Sequence, residues 1–278
     1  MSQRPMIATP AEAGTPLDMF LARRLKISRK QAKRLLDERL VFVNRRRIWM
    51  ARHPLEPGDE VEIPAFAAPE AREVAIPSLY RDDDYLVVNK PAGFPSNGAD
   101  SVEERLRKDL RLPALEAVHR LDRDTTGCLW FALHAAARAT ATALFREKAV
   151  TKTYHAIVAG RVPADGITIT EPLDGLPAVT RVKLLSGARA ASHVKILIET
   201  GRTHQIRKHM ASVRHPVLGD RSYLTREIEE PQLREVPRQM LHASGLAFPH
   251  PKTGQTVRVK APLPADFKRV LRTLELNE

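Results

Sequence analysis

Apolar residues recur every three or four positions in two short segments near the start of the chain. The first segment begins at Thr15–Asp18, where a capping residue, a proline and an acid are typical of a helix N-terminus. The second begins at Ser28–Gln31, which has the form of a capping box. We therefore predict two short helices packed through their apolar stripes. The periodic positions are Leu17, Phe20, Leu21 and Leu25 in the first helix, and Ala32, Leu35 and Leu36 in the second.

Short apolar runs separated by turn residues follow these helices. Leu40–Val43 predicts a strand, Asn44–Arg45 its turn, and Ile48–Trp49 a return strand. Pro57–Gly58 predicts another turn, and Glu60–Ile63 a closing strand. The segment as a whole predicts a small α/β domain.

The pattern changes after a stretch rich in proline and alanine at 66–77, which we interpret as a linker. Strands outnumber helices in the rest of the chain, 78–278, and turns connect most of them. This predicts an α+β fold with a mixed, largely antiparallel central sheet and flanking helices. The predicted strands are Tyr85–Val88, Cys128–Leu133, Thr153–Val158, Ser192–Glu199, Leu241–Phe248 and Thr256–Lys260, and the predicted helices are 102–110, Ala135–Arg146, 203–213 and 264–274.

The composition favours a cytoplasmic protein. Hydrophobic residues make up 43% of the 278 residues, yet no apolar run approaches the length of a membrane span. Met1–Pro10 lacks the apolar core of a signal peptide. Cys128 is the only cysteine, which excludes an intrachain disulfide and a zinc site built on several cysteines. We expect no metal and a monomer.

The charge narrows the class of partner. The formal net charge is +12, and the segment Leu21–Arg52 contains 12 Lys and Arg against only Asp37 and Glu38. A basic surface of this kind favours a polyanion, first a nucleic acid and second an anionic membrane surface. The alternative is an ordinary solvated helical face. We expect the partner to be RNA rather than a membrane.

The order of elements in the basic segment resembles the alpha-L RNA-binding motif, which a ribosomal protein shares with many RNA-modifying enzymes. The resemblance covers 14–65 and consists of a helix, a capped basic helix, a Val-Phe-Val-Asn strand, a Pro-Gly-Asp turn and a closing strand. It implies a module that binds phosphates and supplies affinity rather than sequence choice. The basic residues that we expect to contact RNA are Arg29, Lys30, Lys33, Arg34 and Arg45.

The segment Val118–Gly127 is the densest in groups that carry chemistry. Asp122 and Asp124 lie there among arginines and a histidine. Nearby cations favour the ionised form of a carboxylate, which suits a nucleophile better than a general acid. From charge alone, a surface loop held by salt bridges explains the segment equally well.

Five segments of the chain together resemble the RluA type of RNA pseudouridine synthase. The nine residues from His119 to Gly127 match the signature of that family, and the other segments follow the order of the family. The resemblance spans 78–270 and implies the pseudouridine synthase fold. The five segments are Tyr85–Gly93, His119–Gly127, Lys152–Ala156, Glu199–His209 and His215–Asp220.

The resemblance implies an aspartate-nucleophile reaction at Asp122. In this family the uracil detaches from its ribose, rotates and rejoins through carbon, without a metal or cofactor. The first step is either attack on the sugar C1′ or elimination to a glycal. Ribosomal and transfer RNA are both substrates in the family, so the sequence leaves the target RNA open. Asp124 is assigned a structural role.

The resemblance also implies roles for four residues around Asp122. Tyr154 matches the tyrosine that stacks on the base and takes part in removing the proton from C5, although without the family it would be assigned to the core. Arg207 matches the arginine that pairs with the catalytic aspartate, with Arg202 as the second candidate for an RNA or carboxylate contact. Ile206 is expected to form an apolar wall beside the base.

Arg120 matches the arginine that fills the space left when the target uridine is extruded from the RNA. An ion pair with Asp122 or Asp124 is the alternative. Two other functions also compete with the synthase. In a catalytically idle RNA-binding or ribosome-assembly protein, the basic module would bind RNA and the large domain would be an enzyme that has lost its activity. A glycosidase would need a second acid, and a nuclease would need metal ligands.

Overall fold

A computed structural model of the chain describes residues 5–25, 27–37, 40–63, 75–224, 233 and 236–277. The chain divides into two compact units, Met1–Glu73 and Val74–Glu278. Residues 66–74 of the predicted linker lie outside the described part, as do the side chains of Lys30 and Arg34.

The N-terminal unit packs two helices and a short 3-10 helix against a small antiparallel sheet. Its described strands have the order β1-β4-β2-β3. Leu17, Phe20 and Leu21 of the first helix and Leu36 of the second are fully buried, so the predicted stripes do pack together. The elements are β1 (Met6–Ile7), the 3-10 helix (Pro10–Glu12), α1 (Leu17–Arg24), α2 (Arg29–Asp37), β2 (Val41–Val43), β3 (Arg46–Ile48) and β4 (Glu60–Glu62).

The predicted N-terminal capping is confirmed for α2 and is wrong for α1. The backbone N–H of Ser28 donates to Oε1 of Gln31, and that of Gln31 donates to Oγ of Ser28, which completes the predicted capping box. At α1 the N-cap is Pro16, and no side chain caps the helix. Thr15 therefore does not cap the helix as predicted. Because the helix begins at Leu17, Pro16 is the N-cap residue and does not lie in the first turn.

The turn between β2 and β3 also follows from its residues. Asn44 and Arg45 have φ of 50° and 64°, the left-handed values that a two-residue type I′ turn requires. The Asn44 side chain donates to Asp59 and accepts from the N–H of Glu60, which ties the turn to β4. The observed return strand is Arg46–Ile48, so Trp49, which was predicted to belong to it, lies beyond its end and is more than half exposed.

The second unit is built on one large mixed sheet, which confirms the predicted α+β class. Ten of its described strands form this sheet, in the order β10-β11-β12-β9-β13-β8-β6-β5, with β14 beside β13 and β7 beside β8. Its elements are β5 (Ser78–Arg81), β6 (Tyr85–Lys90), α3 (Val102–Leu110), β7 (Glu116–Ala117), β8 (Thr126–Ala132), α4 (Ala135–Arg146), β9 (Thr151–Ala159), β10 (Ile167–Ile169), β11 (Thr180–Gly187), β12 (Ala191–Ile198), α5 (Gln205–Ser212), β13 (Leu241–Pro249), β14 (Thr256–Lys260) and α6 (Ala265–Thr273).

The sheet is antiparallel between all described neighbours except β8 and β13, which run parallel. The helices α3 to α6 and the strands β6, β8, β9, β12, β13 and β14 correspond to the predicted elements. The strands β5, β7, β10 and β11 were not predicted. β5, β10 and β11 lie toward the two edges of the sheet, where β11 alternates buried and exposed residues, and β7 is a two-residue strand beside β8.

The parallel contact between β8 and β13 depends on one glycine. Gly127 has φ of +109° and lies opposite Ala243. A Cβ atom at this position would come within 2.1 Å of the Ala243 carbonyl oxygen. Only glycine therefore lets the two backbones approach each other just behind the signature segment.

We expect Gly127→Ala to lower the free energy of unfolding of the catalytic unit by about 2–5 kcal/mol, since it combines a backbone clash with left-handed strain. Urea unfolding followed by Trp130 fluorescence in a Trp49→Phe background measures this. Gly254→Ala is the matched control: its φ is +68°, but nothing lies within 4 Å of the added Cβ. It should cost only about 1–2 kcal/mol. Equal effects at the two positions would contradict the close-approach argument.

Candidate active site

A cavity of about 370 Å³ opens on one face of the large sheet, within the second unit. Its walls come from the signature segment before β8, the start of β9, the loop after β12 and the first turn of α5. Asp122, Tyr154 and Arg207 all line it, together with Arg202 and Ile206. Residues that are far apart in the sequence therefore line one cavity.

The Asp122 carboxylate is held by the Arg207 guanidinium. Nη1 of Arg207 donates to Oδ2 of Asp122 at 2.9 Å, while its Nε and Nη2 donate to the two oxygens of Asp220 at 2.5 and 2.8 Å. The Asp220 side chain has no exposure, and Asp122 retains 22%. Burial disfavours the charged form of Arg207, but its hydrogen bonds to Asp220 and Asp122 outweigh this and raise its pKa above the usual range.

Asp220 is itself fixed by the backbone. Its Oδ1 accepts from the N–H of Ser222 at 2.9 Å and from that of Tyr223 at 3.3 Å. The bidentate contact with Asp220 fixes the plane of the Arg207 guanidinium, because two parallel bonds allow little rotation. The remaining nitrogen then presents one donor to Asp122 and leaves its other oxygen, Oδ1, available to a substrate.

Backbone and buried side-chain contacts fix the signature segment. Oγ of Ser96 donates to the Leu121 carbonyl and accepts from the Leu121 N–H, both at 2.8 Å. Nζ of the buried Lys90 donates to three carbonyls, those of Pro91, Phe94 and Arg123. These bonds join the loop after β6 to the residues on either side of Asp122. The carboxylate is therefore carried on a tied loop rather than a free one.

His204 approaches the other oxygen of Asp122. It lies just before α5 with φ of 56°, and its Nε2 is 3.8 Å from Oδ1 of Asp122. Its Nδ1 is 3.0 Å from the hydroxyl of Tyr223, whose ring lies 5.1 Å from the guanidinium carbon of Arg207. The left-handed conformation of His204 turns the side chain toward the cavity instead of along the helix.

Tyr154 lies on the central strand β9 with its side chain in the cavity wall. It is only 6% exposed, and Ile196 faces it across the sheet. Burial first, and the negative charge of Asp122 second, raise its pKa above the usual range. No described residue forms a hydrogen bond with its hydroxyl. The protein thus presents a neutral aromatic face toward the cavity.

The other predicted contacts differ in their surroundings. Ile206 is buried and lines the cavity beside Arg207. Arg202 also lines it, but its Nε donates to the Pro177 carbonyl at 3.3 Å, so Arg202 does not pair with Asp122. Arg120 is exposed at the cavity mouth, and no described residue forms an ion pair with it. The alternative role of Arg120 as an ion-pair partner of an aspartate is therefore absent here.

The basic residues predicted for RNA binding belong to the N-terminal unit. Lys33 and Arg45 are exposed there. Arg29 is exposed as well, but its Nε donates at 2.7 Å to the buried carboxylate of Asp18, which gives it a structural contact. The side chains of Lys30 and Arg34 lie outside the described residues, although both positions belong to α2.

Two site residues were given no role from the sequence, Asp220 and His204. Both fall inside segments that resemble the family, but neither has a local feature that marks it as a partner of Asp122. The described residues contain no cluster of three or more His, Cys, Asp or Glu side chains placed to bind a metal ion. No described helix is long and apolar enough to cross a membrane.

Comparisons with known proteins agree with this geometry. The model of the RNA pseudouridylate synthase family matches residues 84–212, and the S4 domain model matches residues 15–61. The chain is 35% identical to ribosomal large subunit pseudouridine synthase C of Escherichia coli strain K12, over 96% of this chain and 95% of that protein. It is 32% identical to ribosomal large subunit pseudouridine synthase D of Haemophilus influenzae, over 96% and 94%.

Solved structures show the same fold. The chain is similar to human RNA pseudouridylate synthase domain containing 4, with a TM-score of 0.60 and 26% identity over 73% of this chain and 94% of that one. It is also similar to human RNA pseudouridylate synthase domain containing 1, with a TM-score of 0.59 and 28% identity over 73% and 96%. Fold and site thus define an RNA-modifying isomerase. The chain belongs to the RNA pseudouridine synthase family, and its N-terminal unit contains the S4 RNA-binding domain.

We expect Asp220→Asn to lower kcat roughly 10- to 100-fold, because a small displacement of Arg207 misplaces the Asp122 carboxylate. The Kd for RNA should stay within about twofold. Single-turnover kinetics and filter binding separate these effects. Asp174→Asn is the control, since that exposed carboxylate pairs with the neighbouring Lys208. A parallel rise of Kd and fall of kcat would point to general disruption of the fold.

Proposed function

We propose that this chain converts uridines of the large ribosomal RNA to pseudouridine, with Asp122 as the nucleophile. The observation that carries the proposal is the Asp122 carboxylate held at 2.9 Å by a buried arginine at the edge of a cavity of about 370 Å³. The relatives named above, which act on the large ribosomal subunit, support the choice of RNA. A catalytically idle binder would have no need of this buried ionic arrangement.

The geometry accounts for what the nucleophile requires. The Arg207 guanidinium holds Oδ2 of Asp122 at 2.9 Å, while Oδ1 faces the cavity, 3.8 Å from Nε2 of His204. The reaction breaks the C1′–N1 bond of uridine and forms a C1′–C5 bond, after which N1 gains a proton and C5 loses one. Atoms and electrons balance without an oxidant or reductant. Asp122 is released unchanged at the end.

Tyr154 suits the part of the reaction in which the base moves. Its ring can stack on the detached uracil, since every base offers a π-face. Its phenol is protonated at rest, because burial and the charge of Asp122 raise its pKa. When Asp122 is bonded to the sugar its charge is lost, so one cause of the raised pKa is removed. The phenol of Tyr154 then gives up its proton more easily, and the phenolate so formed can accept the proton from C5.

The other predicted site residues would contribute to RNA binding. Ile206 would form the apolar wall beside the base, and Arg202 and Arg120 would contact the RNA around the target. Extrusion of a uridine costs a few kcal/mol, and a planar guanidinium such as that of Arg120 can fill the space it leaves. In the S4 domain, Lys33 and Arg45, with Arg29, Lys30 and Arg34, would bind phosphates.

The proposal includes a cytoplasmic monomer that needs no metal or cofactor for the chemistry. Every side chain that lines the cavity belongs to the second unit of one chain, so the site needs no contribution from a second copy. We also propose that the S4 domain spans 14–65 and the catalytic domain 78–278, joined by the segment 66–77. Sedimentation at assay concentrations tests the oligomeric state.

Tritium release from RNA that carries 5-tritiated uridine is the decisive test. The RNA is taken from cells that lack this protein, so that the target is unmodified. We expect release with the intact protein and at least about a 10³-fold lower rate with Asp122→Asn, because the nucleophile is gone. The Kd of the variant for the same RNA should change little, since Asp122 contributes no attraction for a phosphate.

Release by both proteins would remove Asp122 from the role of nucleophile. Binding without release by either protein would favour the idle RNA-binding alternative. Fragments of large and small ribosomal RNA and transfer RNA, assayed separately, identify the substrate class. Release only from transfer RNA would contradict the choice of large ribosomal RNA while leaving the reaction itself intact.

The phosphate-binding role of the S4 domain predicts a change in salt dependence. Lys33→Gln combined with Arg45→Gln should lower the slope of log Kd against log salt by about 1.4–1.8, or 0.7–0.9 for each lost phosphate contact. Titrations between 50 and 300 mM KCl measure this slope. The double variant Lys268→Gln and Arg272→Gln on α6 removes the same charge elsewhere. If both pairs flattened the slope equally, only the total charge would matter.

A further inference from the structure

Lys152 is a buried cation without a carboxylate partner at the catalytic cavity. It is only 8% exposed and lies in the cavity wall. Its amine donates to one acceptor, the carbonyl oxygen of Thr200 at 3.1 Å. An ammonium group carries three donors. No carboxylate among the described residues forms an ion pair with it.

This arrangement is costly in the free protein. Buried lysines are rare unless they are paired, because removal of the charge from water is not compensated. Burial alone lowers the pKa of Lys152 to about 8, so the amine loses part of its charge near neutral pH. A side chain used only to anchor the Thr200 carbonyl would not require a charge. A neutral donor would serve that purpose at lower cost.

The charges of the side chains around Lys152 favour an anion as its binding partner. Of the charged side chains lining the cavity, five are cations and two are carboxylates. Asp122 is already paired with Arg207, and Glu199 is paired with Arg181 at 2.8 Å. The lining cations are Arg120, Lys148, Lys152, Arg202 and Arg207.

Lys152 lies on the same strand as Tyr154, close to the position proposed for the target nucleotide. Lys152 and Tyr154 are two residues apart on β9, so both side chains project to the same face, about 7 Å from each other along the strand. The ring of Phe145 lies 5.4 Å from the Lys152 amine and closes that end of the cavity. A base on Tyr154 therefore has a cation within the reach of its own nucleotide.

We propose that Lys152 binds a backbone phosphate adjacent to the target uridine, as a phosphate subsite inside the catalytic cavity. The inference rests on the proposed assignment of this cavity to the uridine. The phosphate supplies the negative partner that the fold does not provide, and the Thr200 carbonyl orients the amine toward it. This subsite is buried in the cavity, whereas the described cations of the S4 domain are exposed and would contact phosphates that remain solvated.

The test measures Kd for in vitro transcribed large ribosomal RNA between 50 and 300 mM KCl. All proteins carry Asp122→Asn, so that binding is observed without turnover. Lys152→Met keeps the length and loses the charge, Lys152→Arg keeps the charge, and Lys195→Met removes an exposed lysine of β12. Thermal denaturation shows whether each variant is folded.

We expect Lys152→Met to raise Kd roughly tenfold and to lower the salt slope by about 0.7–0.9, the value for one phosphate contact. Lys152→Arg should keep the slope, and Lys195→Met should change neither quantity. An unchanged slope in folded Lys152→Met would overturn the proposal, whatever its effect on turnover. It would leave Lys152 as an anchor of Thr200 or a contact to an uncharged edge of the base.

A pH series gives an independent reading. The affinity of the Lys152 protein should fall as pH rises from 7 to 9, because the free amine loses its proton near pH 8 and the phosphate binds only the charged form. Lys152→Arg should be flat over this range, since arginine stays charged. A decline of the same size in both would overturn the assignment to Lys152. Other charged or titratable groups facing this cavity are His119, Arg120, Asp122, Lys148, Tyr154, Glu199, Arg202, His204 and Arg207.

Failure of this proposal is distinguishable from failure of the proposed function. Tritium release that depends on Asp122, combined with a normal salt slope in Lys152→Met, would retain the synthase and reject the subsite. A lowered slope without any tritium release would retain the anion site and reject catalysis on the RNA used.

Discussion

The catalytic cavity depends on one guanidinium shared between two carboxylates. Arg207 makes two bonds to Asp220 and one to Asp122, and Asp220 is held by two backbone N–H groups. Loss of one partner from a buried ionic group costs about 3–5 kcal/mol, because the other charge is left uncompensated. The stability of the loop after α5 and the position of the Asp122 carboxylate are therefore linked. Neither carboxylate can move without disturbing the other.

The large sheet makes this arrangement rigid. The residues of β8 are buried along the whole strand, which shows that both faces of the sheet are covered there. Gly127, the last residue of the signature segment, brings β8 against β13, and β9, which carries Tyr154, pairs with the other side of β13. Strands that are far apart in sequence thus support the Tyr154 ring and the loop of Asp122 on one sheet. A loosely held loop would not keep a reacting atom in place.

The cations of this basic chain differ in their exposure. Those described in the S4 domain, such as Lys33 and Arg45, are exposed, so salt screens their charges. The cations that line the cavity range from exposed, as Arg120 and Lys148 are, to buried, as Arg207 and Lys152 are, and a buried charge is weakly screened but costly to maintain. Lys152 is the extreme case, with 8% exposure and a lowered pKa. If the proposed roles hold, depth of burial separates general attraction to RNA from recognition of one nucleotide.

The sequence by itself determined much of the local structure and the family. A capping box and helical periodicity predicted α2, apolar runs predicted the central strands, and the segment His119–Gly127 carried the resemblance to the family. The strands β5, β7, β10 and β11 escaped prediction because short or half-exposed strands lack a strong apolar run.

Only the tertiary structure decided how the groups around Asp122 are held. The resemblance pointed to Arg207, 85 positions away, as the partner of Asp122, but not to Asp220, which fixes the Arg207 guanidinium. His204 approaches Asp122 through a left-handed backbone conformation. The charge state of Lys152 likewise depends on burial beneath Thr200. Burial and long-range pairing are properties of the packed chain, and no local pattern encodes them.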